Sequence, residues 1–350
     1  MTSDAPAIPF GSSDELWRMP AEWEPHERCL LAWPSRAELW EGHFEAAKRE
    51  YAATVEAIAQ FEPVTLVALP GSGAEARRAC PGDVDVVEIP IDDSWLRDSG
   101  PIFVVDDRGH RRGIDFVFNS WGERFVPFDR DAAVTAGILR HLNVDRVASP
   151  MVLEGGSLTV DGEGTLITTE QCLLNPNRNP AMTREDIEAE LRSTLGVSQI
   201  IWLPWGHYED SHTDGHIDGV CTYVDAGRVI VQTCEDPSNP NYGLMAENVA
   251  ALGSSRDAKG RSLDVIELPF LPYGDLDGQE ILCSYANFYV ANGGVVVPIA
   301  DHPMDAEALG VIAGAFPGRE VVGVVSRVIA FGGGGTHCIT QQVPATGTLR

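Results

Sequence analysis

The feature that most constrains this chain is an order of segments that recurs five times along it. Each recurrence runs helix, strand, polar loop, strand, strand, at a period of roughly 50–65 residues. Apolar residues at helical spacing mark 38–61, where Leu39, Ala46, Tyr51, Val55 and Ile58 fall in phase. The same spacing marks 129–142, 183–195, 242–252 and 303–316. Three of these segments open on helix-start signals: Asp129, Thr183 with Asp186 three residues on, and Pro303 with acidic residues behind it. A β-branched run follows each helix, at 84–90, 144–153, 197–204, 263–269 and 320–325. A Gly/Asp-rich loop and further strand come next, as at 101–105, 157–160, 220–224 with 228–232, and 287–290 with 295–298. No such unit can bury its own sheet, and no linker interrupts the series. The expected architecture is therefore α/β, with five units packed about a common axis as one domain over 14–350.

Residues 1–13 are short, polar and rich in Pro, Gly and Ser, and read as a disordered leader rather than a signal peptide. No later segment is long and apolar enough to span a bilayer. The seven cysteines (29, 80, 172, 221, 234, 283 and 338) are odd in number, scattered and never in a Cys-x-x-Cys pair. That pattern speaks against a disulfide framework or structural zinc, and for the reducing cytoplasm. A formal charge of −27 repels polyphosphate and excludes nucleic acid as a partner, whereas a small cationic substrate would be attracted.

The polar loops carry the reactive residues. The first runs from Asp92 to Pro101, the second is Glu154-Gly155-Gly156, the third is Asp214-Gly215-His216-Ile217-Asp218, and the fifth is Gly332 to Cys338. If the units are equivalent, these loops meet at one end of the axis. Cys338 follows a glycine run whose N–H groups can form an anion-binding nest favouring thiolate, so it is the expected nucleophile. Its neighbour His337 is a poor base, because successive side chains in extended backbone point to opposite faces. His216 is the better candidate, with Asp218 beside it to bind a cation. A rival metal site at His212-x3-His216 is disfavoured by Gly215 nearby and by the lack of Glu after His212, so no metal is expected. Asp98 near Trp95 suits a planar cation, which can lie against the ring while its N–H groups meet the carboxylate. By themselves, Asp98 before Gly-Pro and Glu154 before two glycines stay open between turn residue and ligand.

Together these motifs resemble the agmatine deiminases. The resemblance is carried by Trp-Leu-Arg-Asp-Ser-Gly-Pro (95–101), Leu-Glu-Gly-Gly-Ser (153–157), Gly-His-Ile-Asp (215–218) and Gly-Gly-Gly-x-x-His-Cys-Ile-Thr-Gln-Gln (332–342). Glu-Trp-Glu-Pro-His-Glu (22–27), Leu-Ala-Trp-Pro (31–34), Phe-Asn-Ser-Trp-Gly (118–122) and Tyr-Ala-Asn-Phe-Tyr-Val-Ala-Asn-Gly (285–293) extend it from Pro20 to Ala345. It implies the pentein fold of guanidino-modifying enzymes, a five-bladed α/β propeller of ββαβ units around a pseudo-fivefold axis. It also implies that Asp98 and Asp218 grip the guanidinium, Glu154 holds His216 and contacts substrate, Cys338 attacks, and Trp95 is the site's aromatic neighbour. The implied reaction converts agmatine to N-carbamoylputrescine and ammonia, a step of polyamine biosynthesis toward putrescine, with no cofactor. Relatives form homo-oligomers. One departure stands out: the family carries an acid four residues before the catalytic histidine, where this chain has His212, and Gly219 replaces a common Asn. Recognition of the substrate's distal ammonium is therefore expected to involve His212 differently, with Asp275 or Asp277 as alternative sources of charge. Another guanidine as substrate, amidino transfer to an amine, and a non-catalytic guanidinium binder are the competing functions, and ammonia release separates them.

Overall fold

In the computed structural model residues 16–80, 82, 84–268 and 271–346 are described; the 1–13 leader lies outside them. The helix starts written in the sequence form as local chemistry dictates. Thr183 Oγ1 accepts from the Asp186 N–H at 3.2 Å, and the Asp186 carboxylate accepts from the Thr183 N–H at 2.9 Å. This reciprocal cap starts the helix Arg184–Leu195, and Gly196 ends it in the left-handed region. A Cβ at Gly196 would meet the Trp17 carbonyl oxygen at 1.9 Å, so only glycine fits there. The helices Asp131–Leu142, Asn241–Ser254 and Asp305–Ala315 also lie where the periodicity places them. The first is shorter than expected. Glu41 and Gly42 take positive φ, which separates a 3-10 turn at Ala37–Trp40 from the helix Phe44–Ile58.

Among the described residues, every one of these five helices belongs to a repeated sheet in which one strand pair is antiparallel and the next is parallel. Ile102–Val105 pairs antiparallel with Arg111–Val117, which pairs parallel with Asp145–Val152. Leu158–Val160, Thr165–Thr169 and Gln199–Leu203 repeat the pattern, as do Cys221–Asp225, Arg228–Gln232 and Asp264–Leu268. Tyr289–Val290, Gly294–Ile299 and Glu320–Val325 give a fourth. The fifth joins the two ends of the chain: Thr340–Pro344 pairs antiparallel with His26–Ala32, which pairs parallel with Val64–Ala68. That sheet gains a further parallel strand, Val84–Glu88, after the short helix Gly73–Ala79.

Several strands were not anticipated, and the reasons are physical. Val64–Ala68 is buried at every residue, so it lacks the alternation that marks a half-exposed strand. Thr165–Thr169 reads as polar, yet it is wholly buried because its hydroxyls bond to Asp161, to the Ser157 carbonyl and to the Gly215 carbonyl. The hairpin Tyr273–Leu276 with Gln279–Leu282 is an addition to the fourth unit. Each helix seals its sheet. Ile187, Leu191 and Leu195 pack on Leu158, Leu166 and Ile200, and Tyr51, Val55 and Ile58 pack with Leu31 and Leu66. Each such side chain contributes about 1.5–3 kcal/mol by leaving water. Thr183→Ala removes the reciprocal cap without touching this core. It should lower unfolding free energy by about 1 kcal/mol in a denaturant titration, with turnover unchanged.

Candidate active site

The loops that enter the first strand of each unit converge. Cys338 sits at the end of the glycine loop, 7% exposed. The loop is tight against its neighbours: Cβ atoms at Gly334 and Gly335 would meet the Trp95 ring at 2.4 Å and Asn287 Oδ1 at 2.5 Å. Gly333, at φ 101°, leaves room for the His212 ring. Cys338 Sγ lies 3.3 Å from Asp218 Oδ2 and 3.2 Å from Asn287 Nδ2.

Opposite, Gly156 is the point at which three loops meet. A Cβ there would lie 2.6 Å from His216 Nδ1, 2.8 Å from Asp98 Oδ1 and 3.1 Å from Asp218 Oδ2. Asp98 is fixed by the Gly156 N–H on one oxygen (2.9 Å) and by Trp121 Nε1 on the other (3.0 Å). The His216 ring stands between Asp98 (3.8 Å) and Glu154 (3.5 Å), and neither ring nitrogen has a hydrogen-bond partner among the described residues. Arg178 ties the second loop to the third. It donates to Glu154 Oε1 at 2.7 Å, to Asp214 Oδ2 at 2.8 Å and to the Thr213 carbonyl at 3.0 Å.

This crowding of carboxylates sets the electrostatics. Burial pushes Asp98 up to about 6, helped by Asp218 and Glu154 against the pull of His216. Burial also opposes ionisation of Glu154, but His216 and Arg178 hold it below its ordinary value. Asp218 is likewise held low against burial, mainly by His337. His216 rises well above the usual histidine range; burial opposes this, and Asp98, Cys172 and Glu154 outweigh it. These neighbours favour the imidazolium form of His216. Cys338 departs from the sequence expectation. Burial, Asp218 and Asp98 drive its thiol well above the ordinary cysteine value, and the Gly335 N–H and Asn287 do not offset them. The glycine nest does not by itself produce a thiolate.

Asp98, Glu154, His216, Asp218 and Cys338 are therefore brought together. Trp95 lines a small recess with Asp98 and Cys338, its ring stacked on Trp40 at 5.9 Å. His212 lines a cavity of about 320 Å³ shared with His216, Asp218 and Cys338, its ring edge-on to Phe125. It is not on a helix with His216, and the cluster of metal-ligand types among the described residues, Glu154, Cys172 and His216, leaves it out. Asp275 and Asp277 are exposed on the added hairpin and do not line the cavity, whereas Glu209 and Glu280 do. Sequence reasoning missed Asn287, Trp121 and Arg178. The first two sit inside motifs 285–293 and 118–122, and Asn287 supplies the fourth loop's contribution that the repeat implied.

The sequence pattern of the Porphyromonas-type peptidyl-arginine deiminases matches residues 18–344. An agmatine deiminase of Pseudomonas aeruginosa is 46% identical over 356 aligned residues, which cover 94% of this chain and 96% of that one. This chain belongs to the agmatine deiminase family. The solved agmatine deiminase of Enterococcus faecalis superposes with a TM-score of 0.91 at 35% identity, covering 94% of this chain and 96% of its own. A cysteine-to-serine variant of the C. jejuni agmatine deiminase with substrate bound gives 0.87 at 28% identity, with 95% and 97% coverage. The fold of this family member is accordingly the pentein fold.

A cation bound against Asp98 would need that carboxylate ionised. Because the empty site holds Asp98 at about 6, cation binding must expel its proton below that pH. Affinity of Cys338→Ser for a guanidinium ligand should therefore be flat above that value and weaken by about tenfold per pH unit below it. Calorimetry across pH checks this, and affinity independent of pH would remove Asp98 from the binding site.

Proposed function

We propose that this protein hydrolyses agmatine to N-carbamoylputrescine and ammonia through a thiouronium on Cys338. The observation that carries the reading is the convergence of Asp98, Asp218, Glu154 and His216 on one buried thiol. Three carboxylates beside a nucleophile make little sense for an anionic or neutral substrate. They suit a planar cation whose N–H groups they accept.

Substrate entry resolves the high resting value of the thiol. A guanidinium between Asp98 and Asp218 replaces missing positive charge, so Cys338 loses its proton to solvent as the cation docks. Thiolate adds to the guanidinium carbon and gives a neutral tetrahedral adduct. His216, already an imidazolium, gives its proton to the departing nitrogen. Ammonia leaves, the adduct collapses to a cationic S-alkylthiouronium, and His216 is neutral. Glu154, held by Arg178, keeps the ring in place through both half-reactions. His216 then takes a proton from water, and the hydroxide adds to the same carbon. Collapse expels the Cys338 thiolate, the added hydroxyl gives its proton to that sulfur to restore the resting thiol, and a ureido product is released.

The substrate's distal ammonium falls toward the cavity wall lined by His212, Glu209 and Glu280, which supplies the acid that position 212 lacks. Residues 14–350 are proposed to act as one catalytic domain whose five units surround a pseudo-fivefold axis. The contact of Thr159 with Thr222, on the first strands of successive units, supports that arrangement. The seven cysteines are all free thiols, and no helix among the described residues is long and apolar enough to cross a membrane. A cytoplasmic enzyme fits both facts. The net charge of −27 makes nucleic acid a poor partner.

Ammonia release from agmatine, arginine, guanidinoalkylamines of other lengths and an arginyl peptide, in the presence of a chelator, tests the assignment. Agmatine should be turned over fastest with no added amine. Cys338→Ser should lower kcat by more than about a thousandfold, because a serine hydroxyl is far harder to ionise than a thiol. Activity that requires an amine acceptor would mark a transferase, and Cys338→Ser within about tenfold of wild type would remove Cys338 from the mechanism.

A further inference from the structure

Behind Cys338 lie two groups to which the chemistry above gives no part: Glu22, in the segment before the first strand, and His337. The His337 ring is flanked by carboxylates, with Nδ1 2.9 Å from Asp218 Oδ2 and Nε2 2.9 Å from Glu22 Oε2. A neutral imidazole carries one N–H, so one of these contacts would set a lone pair against a carboxylate oxygen. Both are satisfied only by the imidazolium. Its backbone is fixed as well, because the His337 N–H donates to Asn287 Oδ1 at 3.0 Å. The other oxygen of Glu22 accepts from the Val290 N–H at 2.9 Å, which anchors that carboxylate to the fourth unit.

Among the described residues, the hydrogen bonds of the Asp218 carboxylate fall on Oδ2. That oxygen faces His337 on one side and Cys338 Sγ on the other. We propose that Glu22 and His337 form a positioning pair for the deimination reaction. Glu22 keeps His337 cationic, and His337 keeps Asp218 ionised and fixed beside Cys338. The pair rests on the deiminase reading for its consequence in turnover, but not for its own ionisation.

The charged groups facing each member agree with this assignment. His337 meets Glu22, Asp218 and Arg97, whose Nε donates to the His337 carbonyl at 3.3 Å. Burial and Arg97 push the ring's pKa down, and the two carboxylates outweigh them, so it titrates above the ordinary histidine value. Burial pushes Glu22 up, yet His337 and Arg97 bring it to about 2. Asp218 is faced by His337, His216 and Cys338, and by Asp98 across Gly156. Without the imidazolium behind it, Asp218 shares one desolvated pocket with Asp98 and Glu154 and protonates more readily.

The experiment has two arms. In full-length Glu22→Gln and His337→Gln proteins of unchanged thermal midpoint, the Asp98 step near pH 6 should stay, and the Asp218 step below it in kcat/KM for agmatine should move up by about one pH unit. Near that lower step kcat/KM then falls about tenfold, while at pH 9 the loss is much smaller, and the double variant falls no further than either single one. An Asp218 step that stays in place, or losses that add, overturns the proposal. The second arm uses the unmodified protein and needs neither a variant nor turnover: nitrogen-15 shifts of the His337 ring should report both nitrogens protonated at pH 7. A neutral ring there overturns the proposal, even if agmatine is hydrolysed. A cationic ring in a protein that hydrolyses no guanidine would sustain the pair and reject the deiminase reading instead.

Discussion

Three carboxylates and a thiol share one desolvated pocket, and each carboxylate is tolerated because a cation stands against it. Leaving such a charge buried and unpaired costs several kcal/mol, comparable to the whole stability of a domain. Arg178 meets Glu154 at 2.7 Å, the His216 ring lies between Glu154 and Asp98, and His337 meets Asp218 at 2.9 Å. Asp98 is the least compensated, and it is the one driven up to about 6. Asp98 and Asp218, together with burial, keep the thiol protonated until a further cation arrives between them. Substrate binding and nucleophile ionisation become a single event.

The repeat makes this possible because every unit delivers a short loop to the same end. The first strands of the units are brief, three residues at Leu158–Val160 and two at Tyr289–Val290, so the loops before them reach inward without long connections. Glycine then sets how closely they approach. At Gly156 three functional side chains occupy the space that any Cβ would need, and at Gly334 the Trp95 ring does the same. Pairing Thr340–Pro344 with His26–Ala32 fixes Cys338 in the frame, two residues before the last strand, and carries Glu22 to its back.

Much of this was legible in the sequence, for reasons that differ by residue. The helices declared themselves through periodicity and caps, as Thr183 with Asp186 did. Asp98, His216, Asp218 and Cys338 were legible because they sit in glycine-bearing loops at equivalent points of a repeat. Middle strands such as Thr165–Thr169 were not, since their burial depends on partners distant in sequence. Arg178 was hidden because it lies outside the repeat loops, on a segment whose only mark is a run of Asn and Pro. His337 lies in a turn at 336–339 rather than the extended backbone expected there, and its contact with Glu22 spans nearly the full chain and has no local sign. The Gly335 N–H does lower the Cys338 thiol, in the direction the glycine run suggests, but burial and the carboxylates that the fold brings opposite outweigh it.

Titration of the Cys338 thiol tests the central claim most directly. The ultraviolet absorbance of thiolate, taken as wild type minus Cys338→Ser, follows this one group as pH rises, with and without an unreactive amidine cation in the site. The account predicts a protonated thiol through pH 9 in the empty protein, and a shift of the transition to lower pH, by at least about two units, when the cation is bound. A thiol already ionised at neutral pH without ligand, or one whose titration ignores the cation, would contradict it.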